Sequence, residues 1–192
     1  MKKTGITGGI GSGKTYVASV FQSLGIPIFN TDIQAKKIMT SSEKLIKLVK
    51  EEFGNDIYKD SDLNKEKLAS IVFNDKSKLE KLNSLVHPIV KKEFNNWCKK
   101  QTSSYVIKES AILFESKSHL GLDAVICVSA PLELRMKRLL NRDNYSEKEI
   151  KKRIENQMSQ EVKEKLSDYI IVNDERDLLL PQIIKIHEEL IH

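Results

Sequence analysis

The stretch Gly8-Gly9-Ile10-Gly11-Ser12-Gly13-Lys14-Thr15 decides how this chain of 192 residues is read. It fits G-x-x-x-x-G-K-[ST], the spacing of a phosphate-binding loop. Glycines, lacking Cβ, reach the dihedrals that turn successive backbone N–H groups around an anion. Lys14 is then set to meet the β/γ-phosphates of a nucleotide, and Thr15 to offer its hydroxyl to Mg2+. Ordinary composition produces this spacing in roughly one chain of this length in a few hundred, so its surroundings matter. Residues 3–7 read as a short strand, and residues 15–24 as an amphipathic helix ending at Gly25. That order brings a helix N-terminus, with its partial positive charge, to the phosphate site.

Outward from the loop, apolar runs of strand length alternate with helical patterns. Residues 26–30, 105–107, 124–128 and 169–172 follow the first strand as four more. Short, continuous apolar strands separated by helices imply a parallel sheet covered on both faces. The expectation is an α/β fold of three layers around a five-stranded parallel sheet. Ligands of such sheets sit beyond the carboxyl ends of the strands. That rule singles out Asn30-Thr31-Asp32, Glu109 and Asn173-Asp174.

About seventy mostly helical residues separate the second strand from the third. Ser42 can cap a helix reaching about Glu51, and residues 63–73 and 75–86 form two more. Residues 89–100 follow Pro88, which suits a first helical turn. An all-helical block returning to the sheet without a Pro/Gly/Ser-rich linker reads as a substrate-binding insertion, 32–102. A second insertion, 131–165, holds helices over 131–142 and 146–158, the latter opened by the capping-box spacing Ser146 to Glu149. The core is then 1–31, 103–130 and 166–192 within one domain, closed by a helix over about 178–191.

Composition narrows the function classes. Hydrophobic residues make up 40% and charged residues 31%, as in a globular protein with a core of real size. No apolar run approaches the ~20 residues of a membrane span. The N-terminus enters the first strand at once, leaving no room for a signal peptide, so the expected location is the cytoplasm and no membrane partner is expected. The net charge of +5 lies mostly on lysines of helix faces, and a solvated surface accounts for it. No basic stripe interleaved with aromatics argues for nucleic acid. Cys98 and Cys127 stand far apart without a metal-binding pattern, and Cys127 falls in an apolar strand as a small hydrophobe.

Asp32 is the leading candidate beyond the loop. It follows the second strand and opens a helix, so its carboxylate faces the crevice of the phosphate loop. A kinase acting on an alcohol needs a carboxylate to orient the acceptor hydroxyl and take its proton. An N-cap that stabilises the helix start is the structural alternative. Arg135, Arg138 and Arg142 share one side of a helix. They suit either charge stabilisation over the transferred phosphoryl group or a solvated basic face. Arg153 and Gln157, one turn apart on the next helix, could supplement them. Glu109, at a strand end, is a weak candidate for Mg2+ through water, because Lys108 interrupts the apolar run before it. His87, before Pro88, reads more simply as a helix terminator.

Several segments together resemble the dephospho-coenzyme A kinase family over almost the whole chain. Residues 7–14 resemble its phosphate loop and Leu24-Gly25-Ile26-Pro27 its second-strand entry. Asp32 with Ala35-Lys36 is similar to D-x-x-A-[RK], Leu85-Val86-His87-Pro88 to L-x-H-P, and Ile112-Leu113-Phe114-Glu115 to L-L-F-E. Residues 138–143, Arg153-Ile154 with Gln157-Met158, and Asp168-Tyr169-Ile170-Ile171 with Asn173 resemble its lid and last strand.

The resemblance implies a P-loop kinase fold and ATP-dependent phosphorylation of the ribose 3′-hydroxyl of dephospho-coenzyme A. ATP is the co-substrate and Mg2+ the metal. It implies that Gly11, Ser12, Gly13, Lys14, Thr15 and Tyr16 wrap the ATP phosphates, with Lys14 on the transferred group and Thr15 on Mg2+. Asp32 is then the base or orienting group and His87 lies near the acceptor. Arg138 clamps phosphates, while Arg142 and Asn173 flank the adenine. The protein is expected to be a monomer or a homotrimer.

Departures from the family pattern are Asn30 where a first Asp of D-x-D is common, Ala111 and Ser159 in place of Pro, and Arg135 in place of a frequent Gln. A nucleoside or nucleotide kinase of the same fold is the alternative, since the insertion sets acceptor choice. A GTPase-like switch lacks its guanine-reading N-K-x-D here.

Overall fold

The computed structural model describes residues 1–59, 62–73, 75–142 and 146–192. Strands β1 (Lys2–Thr7), β2 (Ile28–Asn30), β3 (Tyr58–Lys59), β4 (Asp62–Leu63), β5 (Tyr105–Glu109), β6 (Ala124–Ser129) and β7 (Tyr169–Val172) alternate with helices. The helices before β5 are α1 (Lys14–Ser23), α2 (Thr31–Ser41), α3 (Glu43–Phe53), α4 (Lys65–Phe73) and α5 (Lys76–Cys98). After it come α6 (Leu132–Arg142), α7 (Glu147–Glu155), α8 (Gln160–Lys165) and α9 (Leu179–Ile191). The chain forms two compact units, one of residues 1–30 and 101–192, the other of residues 31–100.

In the first unit a five-stranded sheet runs in the order β2-β5-β1-β6-β7 with every pairing parallel. The apolar strand runs predict this sheet, and its register explains why the loop sits where it does. Ile6 pairs with Glu109, Thr7 with Cys127, Asn30 with Glu109 and Ser129 with Val172. The carboxyl ends of all five strands therefore share one edge, where loops 8–13, 110–111 and 173–178 begin.

Period-two alternation sorts side chains between the two faces. Ile6, Ile107, Ile126, Val128 and Ile171 pack with Val17, Phe21, Ile183 and Ile186 of α1 and α9. Val125, of opposite parity on β6, packs with Leu113 and Phe114. Tyr105 closes the first cluster, its ring edge-on to Phe21 and its hydroxyl 2.8 Å from His187 Nδ1.

In the second unit the structure departs from the sequence expectation at Pro88. One helix, α5, runs unbroken through it, so residues 75–86 and 89–100 are not separate helices and His87 terminates nothing. Proline removes one N–H and lacks room for the carbonyl four residues earlier. Pro88 and Ser84 are both exposed, so water can reach the carbonyl left over. Meanwhile Leu82, Val86, Val90, Phe94 and Cys98 form one buried stripe that continues past Pro88. The short β3–β4 ladder and α8 carry no sequence signal of comparable strength. Asp143, part of the family-like lid segment, lies outside the described residues.

Candidate functional site

The loop between β1 and α1 turns on Gly11 and Gly13, whose φ values are 82° and 92°. Gly13 is the residue before α1, in left-handed conformation, and a Cβ there would strike Asn173 Nδ2. Gly9 is equally confined, since a Cβ would lie 2.5 Å from the Arg135 guanidinium carbon. Side chains from distant parts of the chain thus press against the loop at Gly9 and Gly13.

Those side chains hold the loop by its backbone. Gly9 N–H donates to Gln160 Oε1 at 3.0 Å and Ile10 N–H to Gln157 Oε1 at 2.9 Å. Arg135 Nε donates to Ile10 O at 2.9 Å, and Asn173 Nδ2 to Ser12 O at 2.7 Å. Lys14 Nζ reaches Gly9 O at 3.0 Å, across the loop that it follows. The Gln160 amide is oriented without ambiguity. Its Nε2 donates to the Glu164 carboxylate at 3.1 Å, which only accepts, and Glu164 also accepts from Ser129 Oγ at 2.5 Å.

At the neighbouring strand ends, Thr15 Oγ1 donates to Glu109 Oε1 at 2.7 Å and Asn30 Nδ2 donates to Glu109 Oε2 at 2.6 Å. Glu109 is 6% exposed, the last residue of β5. The structure therefore joins the two residues that the sequence offers for Mg2+, with Asn30 filling the second carboxylate oxygen. A hydroxyl beside a carboxylate suits Mg2+, which keeps several waters and takes further oxygens from nucleotide phosphates. Among the described residues no group of three or more His, Cys, Asp or Glu could hold a metal, so an all-protein cage is not offered.

On α6 the three arginines separate in role. Arg135 is 5% exposed and lies against the loop, and its burial pushes its pKa below the usual arginine value. Arg138 donates to Asn173 Oδ1 and to Glu175, both at 3.1 Å, so the guanidinium is held by the segment that follows β7. Arg142 is exposed in the last turn of α6. Asn173, offered by the sequence for the adenine, uses its amide to link Ser12 with Arg138. Tyr16 is exposed in the first turn of α1. Asp32 and His87 belong to the second unit. Asp32 is exposed and is the second residue of α2, inside the first turn, rather than the cap before it. His87 is half-buried within α5.

Behind the loop lies a further set that sequence reasoning missed. Lys163, fully buried, donates to Ala111 O at 2.6 Å and pairs with Glu115 at 2.9 Å, while Glu115 also accepts from Met158 N–H at 2.9 Å. Ser159, where the family pattern has Pro, caps α8 by accepting from Val162 N–H. The partners of Glu115 and Lys163 in this set lie 43 to 52 residues away, and no periodicity in the sequence relates them.

A family model described as dephospho-CoA kinase matches residues 3–177. Dephospho-CoA kinase of Bacteroides fragilis is 37% identical over 185 residues, covering 96% of this chain and 90% of the relative. That of Lactobacillus johnsonii is 39% identical over 177 residues, covering 88% and 87%. Among solved structures, a Thermus thermophilus protein superposes with a TM-score of 0.84 at 29% identity, over 98% of this chain and 95% of that one. Dephospho-CoA kinase from Campylobacter jejuni gives 0.69 at 26%, over 99% and 98%. Shikimate kinase from Acinetobacter baumannii, at 14% identity and a TM-score of 0.57 over 99% and 93%, shares the fold.

Proposed function

The chain belongs to the dephospho-CoA kinase family, and from that premise we propose how its residues divide the transfer of the ATP γ-phosphoryl group to the ribose 3′-hydroxyl of dephospho-CoA, giving CoA and ADP. The observation that carries the reading is the Thr15–Glu109–Asn30 cluster at the foot of a loop whose carbonyls are tied back by Arg135 and Asn173. Gly11, Ser12, Gly13, Lys14, Thr15 and Tyr16 bind the ATP phosphates, with Lys14 on the group in transfer. Thr15 and, through water, Glu109 would hold Mg2+, which when bound would supply positive charge to offset that of the nucleotide phosphates. Each Glu109 oxygen keeps a further lone pair beside the one that meets Thr15 or Asn30, and the Thr15 hydroxyl can donate to Glu109 while its own lone pairs face a cation.

Asp32 is the base or orienting group. Only Thr31 separates it from Asn30, whose amide donates to Glu109, which supports its assignment to the acceptor side. Its carboxylate accepts the proton of the 3′-hydroxyl as the new P–O bond forms, while the β–γ bridging oxygen leaves with ADP. His87 supports the acceptor. Arg138 stabilises the charge on the phosphoryl oxygens, and Arg142 with Asn173 lines the adenine side. We place the activity in the cytoplasm, where ATP is at hand, in a monomer or a homotrimer. Light scattering on the purified protein separates those two states.

The direct test is product formation. Protein incubated with ATP, Mg2+ and dephospho-CoA yields CoA and ADP in equal amounts. Turnover of adenosine or of nucleoside monophosphates, with dephospho-CoA untouched, would overturn the acceptor assignment.

A further inference from the structure

A trans peptide points its C=O and the next N–H in opposite directions, and the described chain has no cis peptide bond. Holding one carbonyl of the phosphate loop therefore aims the following amide. Arg135 Nε takes the Ile10 carbonyl at 2.9 Å, which turns the Gly11 N–H away from Arg135. The preceding peptide is held by other groups, its carbonyl accepting from Lys14 Nζ and the Ser12 N–H and its N–H donating to Gln157 Oε1. Asn173 does the same two residues on, taking the Ser12 carbonyl at 2.7 Å and turning away the Gly13 N–H.

We propose that Arg135 is a positioning residue for ATP, acting through its Nε–H on the Ile10 carbonyl to aim the Gly11 N–H at a nucleotide phosphate. This deepens the reading of the loop as the ATP site and rests on it. The hydrogen bond, rather than the positive charge, carries the effect. Arg Nε and Gln Nε2 stand the same number of bonds from Cα, so glutamine can make the same contact without a guanidinium. Lysine keeps the charge and places its nitrogen one bond further out.

Four proteins decide the matter: the parent, Arg135→Gln, Arg135→Met and Arg135→Lys. ATP affinity is measured by calorimetry, KM for ATP and for dephospho-CoA by steady-state assay, and the midpoint of thermal unfolding without nucleotide. Losing a hydrogen bond to a charged phosphate weakens ATP binding by about 10-fold or more. Arg135→Met is expected to show that loss in ATP affinity and in KM for ATP, with KM for dephospho-CoA within about 2-fold of the parent. Arg135→Gln is expected to recover most of the loss, and Arg135→Lys to recover little. Amide NMR supplies a second readout. On adding ADP, the Gly11 signal moves in the parent and in Arg135→Gln but stays in Arg135→Met, while Gly13 moves in all three.

The outcomes separate cleanly. If Lys rescues and Gln does not, charge is the agent and the proposal falls. If Gln binds ATP as poorly as Met at an unchanged melting point, or if Met binds as the parent does, it falls as well. Should Arg135→Met not fold, ATP affinity of Arg135→Gln against Arg135→Lys decides alone. A parent protein that binds no ATP would instead overturn the reading of the loop itself.

Discussion

Asp32 and Glu115 are both carboxylates, and their surroundings demand opposite experiments. Asp32 is exposed in the first turn of α2, where a negative charge suits the helix dipole. Asp32→Asn removes that charge at a cost of about 0.3–1 kcal/mol and keeps the shape. As the catalytic base its loss is expected to lower kcat by two or more orders of magnitude, with melting temperature nearly constant. Activity of an intact Asp32→Asn protein within a few-fold of the parent would leave Asp32 a helix-start residue only. Glu115 is expected to behave in reverse. It neutralises the fully buried Lys163 and accepts the Met158 N–H, so Glu115→Ala strands a cation in the interior. Breaking such a pair costs about 3–5 kcal/mol, to be read from denaturant unfolding.

At the scale of elements, α5 is the instructive case. Pro88 is a sound helix-break signal, and the buried stripe from Leu82 to Cys98 overrides it. Replacing Pro88 with Ala restores an N–H for the Ser84 carbonyl and removes the ring clash, while giving the unfolded chain more freedom. The net expectation is about 1–2 kcal/mol of added stability in urea unfolding. A loss would mean that the limit Pro88 sets on the unfolded chain outweighs the helical gain.

The same contrast explains what was legible in the sequence. The strand at Tyr169–Val172, the Ser42 and Ser146 caps and the loop ahead of α1 are local patterns, and local patterns survive folding. The phosphate-loop spacing offered Thr15 and the strand-end rule offered Glu109, each separately; their hydrogen bond is what the folded chain adds. Gln160, Gln157 and Asn173 reach the loop across 147 to 161 residues, so only the assembled sheet relates them. Arg135 was legible as one face of α6, but helical spacing cannot tell solvent from a neighbouring loop.

For the whole molecule, the buried thiol of β6 shapes the response to alkali. Burial pushes the Cys127 pKa from 9.0 up to about 11. Below pH 9 both folded and unfolded chains keep this proton, and stability is full. Between about 9 and 11 the unfolded chain gives it up first, so stability falls as pH rises, by at most about 2–3 kcal/mol. Burial raises Tyr105 as well, which carries the decline further into alkali. Cys127→Ala is expected to remove the loss between about pH 9 and 10 and to lessen it above pH 10, where the Tyr105 limb stays in place, in pH-resolved melting curves. Equal slopes in both proteins would assign the alkaline loss elsewhere.

The burial of Lys163 also gives the molecule an internal clock. Its ammonium has no exposed surface, whereas the lysines of the helix faces meet solvent freely. An amine-acylating reagent added to native protein marks those surface lysines at once and reaches Lys163 only in molecules whose 111–115 segment has parted from α8. The slow appearance of acylated Lys163 in a peptide map then times that opening. Because each modified copy has lost the charge that Glu115 holds, it cannot close again as before, and the count of marked copies accumulates the opening events.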